Sequence, residues 1–391
     1  ALYTLIGLTD TLGYSSLFLD QAFASFRPSP DTVLGHSILH RQAGRFFANL
    51  YSHDSSLVYE SSTSIGKVTF KESDAQGIQA IIDHYTDPVF DRENRLEMIS
   101  TLAESGGEDN IDYLARLYER YTDSSAYQFA ILETLIAFED RDALKTFKKL
   151  LLNETPFSNN SYTSNSLIRK LEDSVELARP LFPELLELAD FEDYRDGVYD
   201  VLAGLVEKDH IKSSVYKSRY RTILRRAKVQ LKKQRSSEET DNTRKLNVYL
   251  ARYNTLLLPF ARKTEVQEHY REVLRIRNRS VLFEQMQILY GAVPIPDSLW
   301  NYAASDVRVL MNVYDFLADR DELEHLDPKY LTQDQLARSI VQNANYRNYD
   351  TIAFITARET LHKDSEGKAY FFQFKSDKND DLWKLAYVVV D

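Results

Sequence analysis

The segments that decide the fold are residues 91–121, DRENRLEMISTLAESGGEDNIDYLARLYERY, and residues 124–154, SSAYQFAILETLIAFEDRDALKTFKKLLLNE. Asp109 and Asp142 match in the same register. In both segments, apolar residues three and four positions apart predict two amphipathic helices around a short polar break. The matched apolar positions are Ile99, Leu102, Ile111, Leu114 and Leu117 in the first segment and Leu132, Leu135, Leu144, Phe147 and Leu150 in the second.

Such an internal repeat indicates a solenoid, because one helix pair cannot bury its apolar face without a stacked neighbour. Helical patterns continue downstream without a strict period, and the chain has only 12 Gly and 10 Pro, too few for the frequent turns of a sandwich or barrel. We therefore predict a mainly α fold with a HEAT-like helix-pair solenoid over residues 91–346. The alternative is two ordinary helical hairpins in a fold that does not repeat. Downstream helices are predicted near 165–190, 193–208, 213–234, 243–262, 265–277, 280–291, 296–304, 306–318 and 332–345.

The two ends of the chain have strand-like patterns. Residues 1–90 are predicted to form N-terminal helices with a short β-hairpin at 55–71, where two β-prone runs flank a Ser/Thr/Gly turn. Residues 347–391 are predicted to form a three-stranded antiparallel β-meander. In its last strand Trp383, Leu385 and Tyr387 alternate with polar or small residues, which is typical of a sheet with one face packed on helices. This sheet either caps the solenoid or offers an edge to a partner.

Composition excludes several classes of protein. The net charge of −11 argues against a general nucleic-acid binder, and the absence of cysteine excludes disulfides, thiolate metal sites and cysteine nucleophiles. No apolar run approaches the roughly 20 residues that cross a bilayer, so no transmembrane segment is predicted. The chain begins at Ala1, from which we expect a processed protein or a piece of a longer one.

The motifs of catalysis are missing from the sequence. His36 and His40 are four residues apart, but a zinc-protease helix requires a glutamate beside the first histidine, and Ser37 occupies that position. No glycine-rich phosphate-binding loop and no nucleophile elbow is present. We therefore predict no catalytic residues, no metal ligands and no cofactor, and the sequence leaves the binding residues and the oligomeric state unknown.

The most unusual segment is the predicted basic helix 213–234. Between Lys212 and Arg235 there are ten Lys or Arg and no acid, whereas residues 172–209 hold twelve acids and three basic residues. If these segments pack as antiparallel neighbours, their charges neutralise each other. The alternatives are a basic face exposed to solvent or a site for RNA, anionic lipid or an acidic partner.

Two stretches carry a resemblance to a known family. SVELARPLFPELLELADFEDYRDGVYDVLAGLVEKDHI at 174–211 and KAYFFQFKSDKNDDLWKLAYV at 368–388, with the order of helix pairs, resemble the α-helical region downstream of the TraB/GumN-like domain in large Bacteroidetes proteins. That domain is known by GxxH motifs, and this chain has none. The resemblance implies an exported, envelope-associated bacterial protein and assigns no functional residue.

The leading hypothesis is a non-enzymatic α-solenoid that serves as a scaffold or protein-binding module, with one or more protein partners. One alternative is a hydrolase whose acidic residues come together in the solenoid groove from distant helices. Clustered acids with strongly perturbed pKa values would support that alternative. The other is an anionic-surface binder that acts through helix 213–234.

Overall fold

The computed structural model describes residues 41–172, 178–237, 243–343, 351–362, 365–375 and 382–390, together with Gln21 and Ser25. The chain is mainly helical and ends in a three-stranded antiparallel sheet, so this part of the predicted fold is confirmed. The residues divide into two compact units, 1–110 and 111–391. The predicted domain boundaries after residues 90 and 346 stay a prediction. His36 and His40 lie outside the described residues, so the prediction that they bind no metal also stays a prediction.

Unit 1 combines short helices with one small strand pair. Strand β1 (Arg41–Gln42) pairs in parallel with β2 (Val68–Thr69). Phe46 and Phe70 are buried and meet edge to face with ring centroids 5.4 Å apart, which holds the first helix against the segment after β2. The helices are α1 (Ala43–Leu50), α2 (Ser55–Ser62), α3 (Ala75–His84), α4 (Arg92–Ser105) and the start of α5 (Glu108–Arg120).

The predicted β-hairpin at 55–71 is wrong. Its first run is helix α2, and its second contains a single 3₁₀ turn, Ile65–Lys67, before β2. The helix forms because Asp54 caps it: the Asp54 carboxylate accepts a hydrogen bond of 2.9 Å from the Ser56 amide. Val58 and Ser62, four residues apart, are buried on one face, so helical packing outweighs the β-propensity of the run.

The repeated segments form four helices, as predicted. They are α4, α5, α6 (Ser125–Ala137) and α7 (Arg141–Asn153), and all ten matched apolar positions are buried. Asp109 and Asp142 both lie in the first turn of a helix, where an acid interacts favourably with the helix dipole. Gly106, at φ 73°, ends α4 in a conformation that glycine adopts without strain. The stacking of one helix pair on the other stays a prediction.

Unit 2 continues with helices whose bounds lie close to the predicted ones, except at 165–190 and at the start of the basic helix. The basic helix is predicted at 213–234, but its α-helix is Tyr220–Ser237, and Ser213–Val215 and Lys217–Arg219 are 3₁₀ turns. At 165–190 the described residues show an α-helix that ends at Arg169 and then 3₁₀ segments that include Arg179–Leu181 and Glu184–Asp190. Pro180 and Pro183 lack the amide hydrogen that a continuous helix needs, which explains the break. The helices are α8 (Ser161–Arg169), α9 (Glu192–Glu207), α10 (Tyr220–Ser237), α11 (Thr243–Leu257), α12 (Thr264–Val273), α13 (Arg279–Leu289), α14 (Asp297–Ala304), α15 (Val307–Ala318) and α16 (Gln333–Asn343).

From α9 to α15, alternate helices of unit 2 pack on one another, in addition to packing on neighbours in sequence. Helix α8 packs on α9, α9 on α11, α11 on α13 and α13 on α15, and these helices form a row. Helices α10, α12 and α14 come between members of this row in the sequence. Gly197 marks the close approach of α8 and α9, because a Cβ there would lie 2.8 Å from the Asn165 carbonyl oxygen. Each helix of the row therefore buries its apolar stripe between two others.

The C-terminal sheet consists of β3 (Thr351–His362), β4 (Ser365–Lys375) and β5 (Lys384–Val390) in the order β3-β4-β5. Both pairings are antiparallel, and a register shift between Phe354 and Thr356 marks a bulge in β3. The central strand β4 packs its buried aromatic residues against α16.

Candidate functional site

The inner face of the sheet is anchored on helix α16. Tyr370 and Phe372 of β4 pack against Ala337 and Val341, and both aromatic residues are almost fully buried. The Tyr370 hydroxyl also donates a hydrogen bond of 2.8 Å to the Gln333 side-chain oxygen. Because β4 is fixed from one side, the opposite face of the sheet is held in a defined position.

The outer face of the sheet is apolar and exposed. Trp383, Leu385 and Tyr387 alternate along β5 and just before it, and they are 46%, 65% and 66% exposed. Phe371 stands opposite Tyr387 in the register, with ring centroids 5.9 Å apart, and the Lys375 ammonium lies 5.2 Å from the centre of the Trp383 ring. We call these five residues the outer patch.

The orientation of β5 differs from what its residue sizes suggest. The larger residues Leu385 and Tyr387 face outward, while Ala386 and Val388 pack toward α16. The cause is the pairing register: Phe372 faces α16 and is opposite Ala386, so Ala386 shares the inner face. Large aromatic residues on an exposed sheet face are unusual in a soluble domain and indicate a contact surface.

The acid-rich segment 172–209 was predicted to pack beside the basic helix as its antiparallel neighbour and to neutralise its charge. This prediction is wrong in its main part. Helix α11 packs against both α9 and α10, and Tyr253 of α11 meets Tyr199 of α9 with ring centroids 5.4 Å apart. Among the residues that the structure describes, Arg219–Asp190, at 2.5 Å, is the ion pair that joins the two segments. The basic helix buries an apolar stripe of its own, Ile223, Leu224, Ala227 and Leu231.

One acid of this stretch, Asp200, is buried and paired with arginines of other helices. The Arg169 Nε atom lies 2.6 Å from one carboxylate oxygen, and Arg252 of α11 contacts the other. Burial raises the pKa of Asp200 to about 6 against the lowering effect of Arg252 and Arg169, so the carboxylate is ionised at neutral pH.

Asp200 lines a cavity of about 550 Å³ together with Glu172, Glu207 and Glu284, which is the arrangement that the hydrolase alternative requires. Both oxygens of Asp200 are occupied by guanidinium groups, however, which leaves it poorly suited to act as a general base. Within the described ranges, no three His, Asp or Glu side chains are grouped so that they could hold a metal ion. The pairing of Asp200 therefore argues against it as the general base of a hydrolase, and the hydrolase alternative stays a prediction.

A buried polar network lies on the other side of α11. The Asn254 side-chain nitrogen donates to the Gln285 oxygen at 2.7 Å, and the Asn254 oxygen lies 2.8 Å from His269 Nε2. Since that oxygen can only accept, Nε2 carries the hydrogen and the imidazole is the Nε2–H tautomer. Burial, with Lys228 and Arg235 nearby, lowers the pKa of His269 to about 4.

We expect this histidine to make the stability of the protein depend on pH. A histidine with a folded-state pKa of about 4 and an unfolded value of 6.5 leaves stability intact above pH 6.5 and reduces it as the pH falls toward 4. Relative to a His269→Gln variant, the wild type should lose about 3 kcal/mol of unfolding free energy between pH 7 and pH 4. Urea titrations of both proteins across this range measure the difference, and two parallel curves would contradict the assignment.

Comparison with protein-family models, curated proteins and solved structures finds no match to this chain. None of the described helices is long and apolar enough to span a membrane. The proposals below therefore depend on the geometry alone.

Sequence reasoning found three of the five residues of the outer patch but not their exposure, and it missed the Asp200 and His269 networks. Trp383, Leu385 and Tyr387 were expected on a sheet with one packed face, without any sign of which face. Asp200 looked like one acid among twelve, and His269 like a lone histidine. The one signal for the burial of Asp200 was its position between Tyr199 and Val201, and His269, next to Glu268, carried no such signal.

Proposed function

We propose that this protein is a non-enzymatic helical scaffold that binds a protein partner through the outer patch of its C-terminal sheet. The observation that carries this proposal is the exposure of Trp383, Leu385 and Tyr387 on a sheet whose other face is anchored to α16. Aromatic residues are enriched at protein interfaces and provide most of the binding energy when a partner covers them. In the described sheet β5 is also an edge strand, so a partner strand has backbone groups with which to pair.

The packing of unit 2 supports a helix-pair solenoid as the frame for this surface. In a solenoid each repeat contacts its neighbours along the array, and the next-but-one packing from α9 to α15 is what such an array requires. A frame of this kind holds a terminal sheet at a fixed place and needs no catalytic residue. The location in a bacterial envelope stays a prediction.

We expect substitution in the outer patch to weaken partner binding without unfolding the protein. Tyr387→Lys should weaken binding by about 30-fold or more, since interface aromatic residues often contribute 2 kcal/mol or more. The matched control is Tyr162→Lys on α8, because Tyr162 is 68% exposed and Tyr387 is 66% exposed. Each substitution should change the unfolding free energy by less than about 0.5 kcal/mol.

The partner is identified by placing the photo-crosslinking residue benzoylphenylalanine at position 387 or at position 162 in living cells of the source organism. A protein that crosslinks at 387 and not at 162 is then purified, and its affinity is measured for the wild type and the two lysine variants. Equal crosslinking at both positions, or an affinity that Tyr387→Lys leaves unchanged, would reject the outer patch as the binding surface.

A further inference from the structure

A second cavity, of about 560 Å³, lies between α10 and α12 and is strongly basic. Its volume is in the range of small-molecule sites. The cavity receives side chains from the C-terminal half of the basic helix and from α12 and the residues after it. The cations that line it are Lys228, Lys232, Arg235, Arg271 and Arg275.

The charges in this cavity are not balanced. Glu272 pairs with Arg235 at 3.0 Å and with Arg275 at 2.5 Å, so this carboxylate already has two partners. Within the described part of the chain, Lys228, Lys232 and Arg271 make no ion pair, and Glu268 is the other acid that lines the cavity. The three side chains are solvent-exposed, and an anion bound between them lowers their mutual repulsion.

The floor of the same cavity contains His269, which is only 2% exposed. Its Nε2–H is used by Asn254, so its other ring nitrogen, Nδ1, has a free lone pair and can only accept a hydrogen bond. Nδ1 is buried and has no hydrogen-bond partner among the described residues. Buried polar atoms are nearly always satisfied, and an exception at the wall of a cavity indicates a ligand that supplies the missing donor.

We propose that this cavity binds a phosphate ester that carries a hydroxyl group near its phosphate, such as a sugar phosphate. The dianionic phosphate lies among Lys228, Lys232 and Arg271, where ammonium groups act as point charges and the guanidinium group donates paired hydrogen bonds. The ligand hydroxyl donates to Nδ1 of His269. A metal ion is excluded as the occupant by the cations around the imidazole, and an anion without an O–H group, such as sulfate, leaves Nδ1 without a donor.

This proposal is independent of the outer patch, which lies on a different element. The test is isothermal titration of the full chain with glucose 6-phosphate, inorganic phosphate and glucose. We expect glucose 6-phosphate to bind at least tenfold more tightly than inorganic phosphate, and glucose alone not to bind.

Lys232→Glu should weaken glucose 6-phosphate binding by tenfold or more, whereas Lys233→Glu should change it by less than twofold. Lys233 is the matched control because it is the exposed neighbour of Lys232 and does not line the cavity.

The role of His269 is tested without a substitution that disturbs its buried network. In the wild-type protein, the ¹⁵N resonance of His269 Nδ1 should shift on addition of glucose 6-phosphate, because its lone pair gains a hydrogen bond, and should not shift with sulfate, which has no O–H to donate.

Three results would overturn the proposal. The first is the absence of glucose 6-phosphate binding at millimolar concentration. The second is an equal loss of binding in Lys232→Glu and Lys233→Glu, which indicates diffuse attraction to the basic helix. The third is binding only to phosphatidylglycerol vesicles, weakened equally by both variants, which assigns the helix to a membrane surface instead.

Discussion

Replacing Phe372 with alanine is expected to release the C-terminal sheet from α16 and to destabilise unit 2 by about 3–5 kcal/mol. Phe372 is 1% exposed and packs against Ala337 and Val341, and the Phe354 ring lies 5.7 Å from it on the neighbouring strand. Because a three-stranded sheet is marginally stable alone, loss of this contact removes its main support. The variant should therefore also lose the partner that binds the outer patch.

Tryptophan fluorescence is a suitable measurement, because both tryptophans of the chain, Trp300 and Trp383, lie in unit 2. The melting temperature should fall by roughly 6–15 °C. Phe371→Ala is the matched control: it removes the same ring from the next residue of β4, on the partly exposed outer face, and should cost less than about 1.5 kcal/mol. Similar losses in the two variants would mean that the sheet is not held through its inner face.

The sequence predicts the positions of the helices better than it predicts which helices pack against each other. Apolar spacing located α9 and α11–α16 to within a few residues, because each helix buries one stripe and the period of that stripe is local information. The repeat at 91–154 was visible for the same reason. The spacing does not show which helix covers a stripe, so α11 was not expected between α9 and the basic helix.

The errors have physical causes of the same kind. At 55–62 the β-prone run Leu57–Tyr59 is helical, because the Asp54 cap and burial of Val58 outweigh propensity. In β5 the face that packs on α16 is decided by the pairing of Phe372 with Ala386, a contact between residues distant in sequence. The buried state of His269 depends on Asn254 and Gln285, on two other helices. None of these interactions leaves a periodic pattern.

Phe147→Ala is expected to destabilise the repeat region by about 3–5 kcal/mol and to distinguish a solenoid from an ordinary helical fold. Phe147 is fully buried in α7, at the position that matches Leu114 in the first repeat. The stability of a solenoid is a sum of local terms between neighbouring repeats, whereas an ordinary domain unfolds as one unit. The consequence of losing one buried ring therefore differs between the two folds.

Hydrogen exchange followed by mass spectrometry measures this difference helix by helix. In a solenoid, Phe147→Ala should increase amide exchange in α6, α7 and α8 by about 100-fold or more, while α13 and α15 keep most of their protection. Lys149→Ala provides the control, since Lys149 lies two residues away in the same helix and no large change in exchange is expected there. An equal increase of exchange from α6 to α15 would show that unit 2 unfolds as a single cooperative domain. In that case 91–121 and 124–154 are two helical hairpins of an ordinary fold, because only stacked repeats confine the effect of Phe147 to their neighbours.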